Sequence, residues 1–119
     1  MAQNTAPRHG GVVRNFGAFE TETIIAPSGH VAVFVRDAGG EVSTTRLAAA
    51  GEAVSEGKTV KFAFEPDVKQ NALHGDGPRP GDGTSVRIDL SVDGRHAGKW
   101  SLAVGPEGTD TLDPIGDGE

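Results

Sequence analysis

Apolar and polar residues alternate with a period of two along several short segments of this chain. In the segment SVRIDLSVDG, Val86, Ile88, Leu90 and Val92 fall on one side and polar residues take the other. A period of two is the side-chain repeat of a strand, because successive side chains point to opposite faces of a sheet. The segment therefore predicts a strand with one buried face.

The same pattern, bounded by turn residues, predicts the other strands. We expect strands near residues 11–16, 19–26, 30–37, 58–65, 85–92 and 95–104 and a further short element near 42–48. Asp93-Gly94 should join the last two strands as a hairpin, since a type I′ turn needs positive φ at both central residues. The residues that share the inward side form the expected core: Val33, Phe62, Phe64, Val86, Ile88, Leu90 and Trp100.

Two regions lie outside this alternation. The segment TRLAAAGEAVSEG is rich in alanine but is interrupted by Gly51 and closed by Gly57, which allows one or two helical turns at most. Residues 66–83, PDVKQNALHGDGPRPGDG, are rich in glycine and proline and predict a long loop. Loops of that length in a small domain are usually functional or mobile.

The composition agrees with an all-β fold. Eighteen glycines and seven prolines among 119 residues indicate a single domain whose chain turns often. We expect an antiparallel β-sandwich of about seven short strands over residues 9–104. Residues 1–8 should form a flexible arm and residues 105–119 an acidic, disordered tail, because both segments have few apolar residues to bury.

Charge and residue content argue against several classes of function. A net charge of −6 without a Lys/Arg cluster argues against nucleic acid, and no apolar stretch is long enough for membrane insertion. The absence of cysteine excludes disulfides and thiolate sites. The chain has neither a nucleophile elbow nor a phosphate-binding glycine loop, and the Glu20/Glu22 pair is expected to be solvated on an exposed strand face. We therefore expect a protein that is not an enzyme.

Four histidines are the candidate metal ligands: His9, His30, His74 and His96. Imidazole suits Cu(II), Zn(II) and Ni(II), but no His-x-His or His-x-x-x-His spacing is present, so the fold would have to bring isolated rings together. For each ring the alternative is an ordinary surface or turn histidine. His74, beside Asp76 in the long loop, should be the most exposed, and His96 should point inward unless Ala97-Gly98 forms a bulge.

Chain reversals predict which histidines lie at the same end of the molecule. If successive strands run antiparallel and residues 42–48 form one of them, His9, His30 and His96 share one end and His74 lies at the other. Three imidazoles would suffice for a Cu(II) or Zn(II) site with an open position. His9-Gly10-Gly11 would then be a ligand on a hinge.

Several short motifs resemble a known family. They are His9-Gly10-Gly11, Glu22, Pro66 with Leu73 and Gly75, and Gly98-Lys99 with Trp100. In this order, over residues 9–104, the chain is similar to the small all-β periplasmic domain of bacterial heavy-metal efflux systems. That domain occurs in some cation-efflux membrane-fusion adaptors and also as a free-standing protein.

The resemblance implies a periplasmic, divalent-metal-binding accessory protein of a heavy-metal resistance or efflux system. Its partners would be the metal ion, Cu(II) or Zn(II), and proteins of the efflux system. The alternative is an interaction module that docks on an efflux complex without binding metal. The first residues, MAQNTAPRHGG, lack the apolar core of a signal peptide, which suits either a mature exported protein with an added initiator or an ordinary cytosolic start.

Overall fold

The structure is a computed structural model, and it describes residues 11–106 and residue 108. Within this part of the chain, nine strands and one short 3₁₀ turn, Thr44–Arg46, follow one another. The strands are β1 Val12–Phe16, β2 Phe19–Ile25, β3 His30–Asp37, β4 Gly40–Glu41, β5 Leu47–Ser55, β6 Lys58–Asp67, β7 Ala72–Asp76, β8 Thr84–Val92 and β9 Arg95–Val104. No helix among these residues is long and apolar enough to cross a membrane.

The strands form one sheet with antiparallel pairing throughout. Its order is β1-β2-β3-β7-β6-β5-β8-β9, and the short β4 pairs with β3 beside this path. Strand β6 changes partner along its length, since residues 58–63 pair with β5 and residues 64–67 pair with β7. The two halves of the sheet therefore meet at β6.

The sheet curls until its two end strands come together. The rings of Phe16 on β1 and Trp100 on β9 lie 5.1 Å apart between centroids. The indole Nε1 of Trp100 also donates a buried hydrogen bond of 3.1 Å to the hydroxyl of Thr23 on β2. These side-chain contacts nearly close the sheet around its apolar interior.

The interior is filled from the faces that the alternation predicts. Val33, Ile88, Leu90, Val86 and Trp100 are buried, which confirms these members of the expected core. The other two members pack against the core while partly exposed: Phe62 and Phe64.

Phe62 owes its position to glycines on the neighbouring strands. A Cβ added at Gly51 would lie 2.4 Å from the Phe62 ring, and one added at Gly75 would lie 3.0 Å from it. The ring thus occupies space that any larger residue at these positions would need, as in the pairing of aromatic side chains with strand glycines.

The all-β class is confirmed, and each of the six expected strands is present within two residues of its expected bounds. The hairpin at Asp93-Gly94 is also confirmed, with φ of 54° and 81° at its two central residues. The finer expectation of a two-layer sandwich of about seven strands stays a prediction. The structure shows nine strands hydrogen-bonded into one curled sheet.

The alanine-rich segment is mostly a strand, and only its first two residues, Thr45 and Arg46, belong to a 3₁₀ turn. Residues 47–55 form β5 between β6 and β8, with Leu47, Gly51 and Ala53 buried. Small residues suit this central place, because the Phe62 ring lies directly over Gly51. Packing against two neighbours therefore overrides the helix propensity of the three alanines.

The expected long loop contains strand β7, which the sequence analysis missed. The side chain of Asp67 accepts hydrogen bonds from the backbone N–H groups of Lys69 and Gln70, which tightens the turn after β6. Asn71 then adopts a positive φ of 54° and sends the chain back along β6. As a result β7 fills the place between β3 and β6.

The predicted arm, residues 1–8, lies outside the described residues, and so does most of the predicted tail. Of that tail, Gly105 and Gly108 form an isolated bridge. Gly108 lies so close to the backbone of Ile25 that an added Cβ would clash with it.

Candidate functional site

Two of the four histidines lie together on the outer face of the sheet. His30 begins β3, and His74 is the central residue of β7. In the pairing of these strands His30 lies opposite Asp76, and His74 lies opposite Ala32. Directly opposed residues share a face of the sheet, and diagonal neighbours are within reach of long side chains. We call His30 and His74 the histidine pair.

The two rings of the histidine pair are in direct contact. Nε2 of His30 lies 2.7 Å from Nδ1 of His74, and the rings stack with centroids 4.9 Å apart. The side chains are 41% and 24% exposed, so the pair is open to solvent on one side.

Acceptor groups hold the other nitrogen of each ring. Nδ1 of His30 lies 2.9 Å from a carboxylate oxygen of Asp76. Nε2 of His74 lies 2.9 Å from the amide oxygen of Gln70 and 3.5 Å from a carboxylate oxygen of Asp67. Carboxylate oxygens only accept hydrogen bonds, so Nδ1 of His30 is the N–H donor to Asp76. Nε2 of His74 is likewise an N–H donor where Gln70 turns its amide oxygen toward the ring.

This arrangement leaves two lone pairs facing each other. A neutral imidazole has one N–H and one lone pair, so in these tautomers the lone pairs on Nε2 of His30 and Nδ1 of His74 face each other across 2.7 Å; in the other tautomer of His74 the same contact is a hydrogen bond. Two acceptors at hydrogen-bond distance repel each other unless a cation lies between them. In these tautomers the two nitrogens converge as potential ligands, and a slight opening of the rings would let a metal ion lie between them.

The charges around the histidine pair have the sign that favours a cation. Asp76 and Asp67 contact the rings, and Glu65 lies opposite His74 on β6. Lys69 borders the same surface depression as His74. Three carboxylates against one ammonium group give this face a negative local charge.

The described part of the chain contains no group of three or more His, Cys, Asp or Glu side chains arranged to hold a metal ion. The histidine pair supplies two converging nitrogens. The nearby carboxylates bond to the far sides of the rings and do not point at the space between them.

His96 lies in a different part of the molecule. Ala97 is an extra residue in β9, because Leu90 pairs with Gly98 and Ser91 pairs with His96. This bulge turns His96 outward, where its side chain is 62% exposed and lies 3.2 Å from Asp89. We expected His96 to point inward unless Ala97-Gly98 formed a bulge. The bulge is present, and it keeps this ring out of the core.

The expected grouping of histidines by end of the molecule is wrong. His74 lies beside His30 and not apart from it, and it is less exposed than His30 or His96. His96 borders a depression with Phe19 at the start of β2, whereas His30 bonds to the turn that follows the end of β2. The missed strand β7 adds one chain reversal, which inverts the count for every later residue. His9 lies outside the described residues.

Glu22 has a structural role that the sequence did not suggest. It was expected to be solvated beside Glu20, but it is only 7% exposed and accepts a 2.8 Å hydrogen bond from the backbone N–H of Gly11. A Cβ at Gly11 would lie 2.4 Å from the carbonyl oxygen of Thr23. The second glycine of His-Gly-Gly is therefore a close-packing position next to β2.

Sequence reasoning missed Asp67 and Gln70 as partners of the histidine pair. Their role depends on β7, whose signal in the sequence is short: Leu73 and Gly75 on one side, His74 and Asp76 on the other. Four alternating residues within a Gly/Pro-rich segment are too few to predict a strand. No protein-family model, curated protein or solved structure matches this chain.

Proposed function

We propose that this protein is a non-enzymatic metal-binding module that takes up a divalent ion, Cu(II) or Zn(II), at the histidine pair. The observation that carries the proposal is the approach of two imidazole nitrogens to 2.7 Å, while the far nitrogen of each ring bonds to a carboxylate or an amide group. Imidazole is a preferred ligand of both ions.

The partners of the two rings support this assignment. A histidine that binds a metal usually donates its other N–H to a carboxylate or carbonyl oxygen, which fixes the tautomer and aims the ring. Asp76 is the acceptor for His30, and the amide oxygen of Gln70, with Asp67 nearby, is the acceptor for His74. These interactions would hold both rings ready for an ion without further rearrangement of the sheet.

Of the other two histidines, the proposal keeps one as a ligand and leaves the other out. His9 precedes Gly11 by two residues, and Gly11 is held beside β2, the neighbour of β3. Two residues of chain span about 7 Å, so we keep His9 as a proposed additional ligand. His96 is left out, because it lies near the opposite end of β2.

The biological setting is proposed from the resemblance of residues 9–104 to the periplasmic domain of heavy-metal efflux systems. On that basis the module would work in the periplasm as an accessory protein of metal resistance. The alternative is an interaction module of β-sandwich type that docks on an efflux complex. Two exposed apolar side chains, Val60 and Val68, favour a docking role.

A metal titration followed through the histidine ring signals tests the proposal. The apo protein is titrated with Zn²⁺, Cu²⁺ and Ni²⁺, and two-dimensional ¹⁵N spectra report each ring. We expect the His30 and His74 signals to change together at micromolar metal, while the His96 signals stay in place. Unchanged His30 and His74 signals at millimolar metal would favour the docking alternative.

Variants assign the binding to residues. His30→Gln and His74→Gln should each weaken Zn²⁺ binding by about 10-fold or more, since even second-sphere partners have effects of that size. His96→Gln is the matched control and should bind as the unmodified protein does. The Zn²⁺ affinity of His9→Gln shows whether His9 contributes to binding.

A further inference from the structure

We infer that a metal ion at the histidine pair is shared with a second copy of this chain, each copy supplying two imidazoles. The inference rests on the proposed function, because it assumes that the pair binds the ion. It adds the partner, which is a second copy of the chain, and the stoichiometry, which is one ion for two chains.

The first argument is the number and direction of the ligands. Zn²⁺ in a structural site takes four ligands in a tetrahedron. His30 and His74 supply two nitrogens, and within residues 11–106 and 108 no larger ligand group is present. Both rings lie on the outer face of the sheet and are part-exposed, so the remaining positions of the ion open toward solvent.

Symmetry provides the two missing ligands without any new residue. Most homodimers have a two-fold axis, and the same patch of both copies meets across it. An ion on that axis would receive Nε2 of His30 and Nδ1 of His74 from each copy. The two chelating pairs together make the four-nitrogen set that a single copy lacks.

The surface around the histidine pair suits such a contact. Val68 is 72% exposed and borders the same depression as His74. On the other side of the pair, two apolar side chains on the outward face are partly exposed, Ile24 on β2 and Phe34 on β3. A second copy would cover these side chains and remove apolar area from water.

Charge makes the contact dependent on the ion. Each chain carries a net charge of −6, and the patch itself presents Asp67, Asp76 and Glu65. Two such patches repel each other in the absence of metal, and the repulsion weakens as salt screens it. The metal-free protein should therefore be monomeric, and added salt should strengthen the metal-bound dimer.

Molar mass measured by light scattering during a Zn²⁺ titration tests the inference. We expect the mass to double from 12.2 kDa as Zn²⁺ reaches half an equivalent per chain, and to return on addition of EDTA. His30→Gln and His74→Gln should remain monomeric, whereas His96→Gln should form the dimer. Far-ultraviolet spectra of the variants check that each remains folded.

Three results would overturn the shared site. Zn²⁺ bound one to one by a monomer, with shifted His30 and His74 signals, would leave the proposed function standing and exclude the dimer. Loss of Zn²⁺ affinity in His9→Gln, with the unmodified protein monomeric, would place the third ligand within the same chain. Absence of any Zn²⁺ binding would remove the proposed function and the shared site together.

Discussion

The ion pair between Arg46 and Asp93 shows how one residue can serve two local purposes. Asp93 occupies the first central position of the β8–β9 turn, where its φ is positive, and its carboxylate accepts hydrogen bonds from both Nε and Nη2 of Arg46. The backbone N–H of Asp93 also donates to the carbonyl oxygen of Arg46. The hydrogen bonds from Arg46 hold the pKa of Asp93 below its ordinary value of 3.8.

Asp93→Asn should therefore destabilise the protein only where the carboxylate is charged. When the pKa of a carboxyl group is lower in the folded state, the group stabilises the fold at pH values above its unfolded-state pKa. This contribution disappears as the pH falls through the folded-state pKa. Asparagine also accepts the positive φ of the turn, so backbone strain is avoided. We expect Tm to drop by about 1–2 °C at pH 7, since both groups are exposed.

Thermal unfolding of both proteins between pH 7 and pH 2.5 measures this difference. The two Tm values should converge below pH 3.8. A constant difference over the whole range would mean that the variant disturbs the turn itself and not the ion pair.

At the scale of elements, the strands that the sequence predicts are those with long, regular alternation. Strand β8 keeps a buried apolar residue at every second position from Val86 to Val92, and the Asp93-Gly94 turn fixes its partner. Strand β5 escaped prediction because its alanines do not separate an apolar face from a polar one. Strand β7 escaped because five residues within a Gly/Pro-rich segment carry too little pattern.

The candidate site was predictable only in part for the same reason. The sequence indicated histidine as the ligand, and it indicated that the fold would have to bring separate histidines together. The partnership of His30 with His74 required β7 to be inserted beside β3, which is a long-range pairing. Local pattern does not contain that information.

The bulge in β9 leads to a prediction about deletions. Removing Ala97 should leave a regular ladder, because Gly98 and His96 already pair with the adjacent residues Leu90 and Ser91. We expect the deletion to cost about 1 kcal/mol, which is the lost burial of one small side chain. His96 should stay on the outer face.

Deletion of Ser101 is the matched comparison. It would make Trp100 and Leu102 consecutive and turn one of these buried residues outward, because a one-residue slip moves side chains to the other face. We expect a loss of about 2–5 kcal/mol, measured by urea unfolding. Equal losses from the two deletions would show that the extra residue of β9 is needed for the fold.

At the scale of the whole molecule, one side-chain hydrogen bond links the end strand β9 to β2, the second strand from the other end of the sheet. The indole of Trp100 on β9 donates to Thr23 on β2, and Thr23 is fully buried. Thr23→Val keeps the shape of the side chain but leaves the indole N–H without an acceptor. We expect a loss of about 1–3 kcal/mol, the cost of a buried, unsatisfied donor.

Urea unfolding measures this loss, provided that the free energy of unfolding falls with urea concentration at the same slope in both proteins. Thr59→Val, on an exposed position of β6, is the control and should change stability by less than about 0.5 kcal/mol. In a Trp100→Phe background the Thr23→Val change should cost less, because the donor is gone. An equal cost in both backgrounds would argue against the hydrogen bond as the cause.

The position of β7 has a consequence for the order in which the chain folds. Strands β1 to β3 pair through local hairpins, and so do β5 with β6, β6 with β7 and β8 with β9. Two pairings join distant parts of the chain: β3 with β7, where His30 and His74 are 44 residues apart, and β5 with β8. Pairing over such a separation carries the larger loop-closure entropy and is expected to come late. The contact between His30 and His74 should therefore form after the local hairpins, in the same late stage as the pairing of β5 with β8.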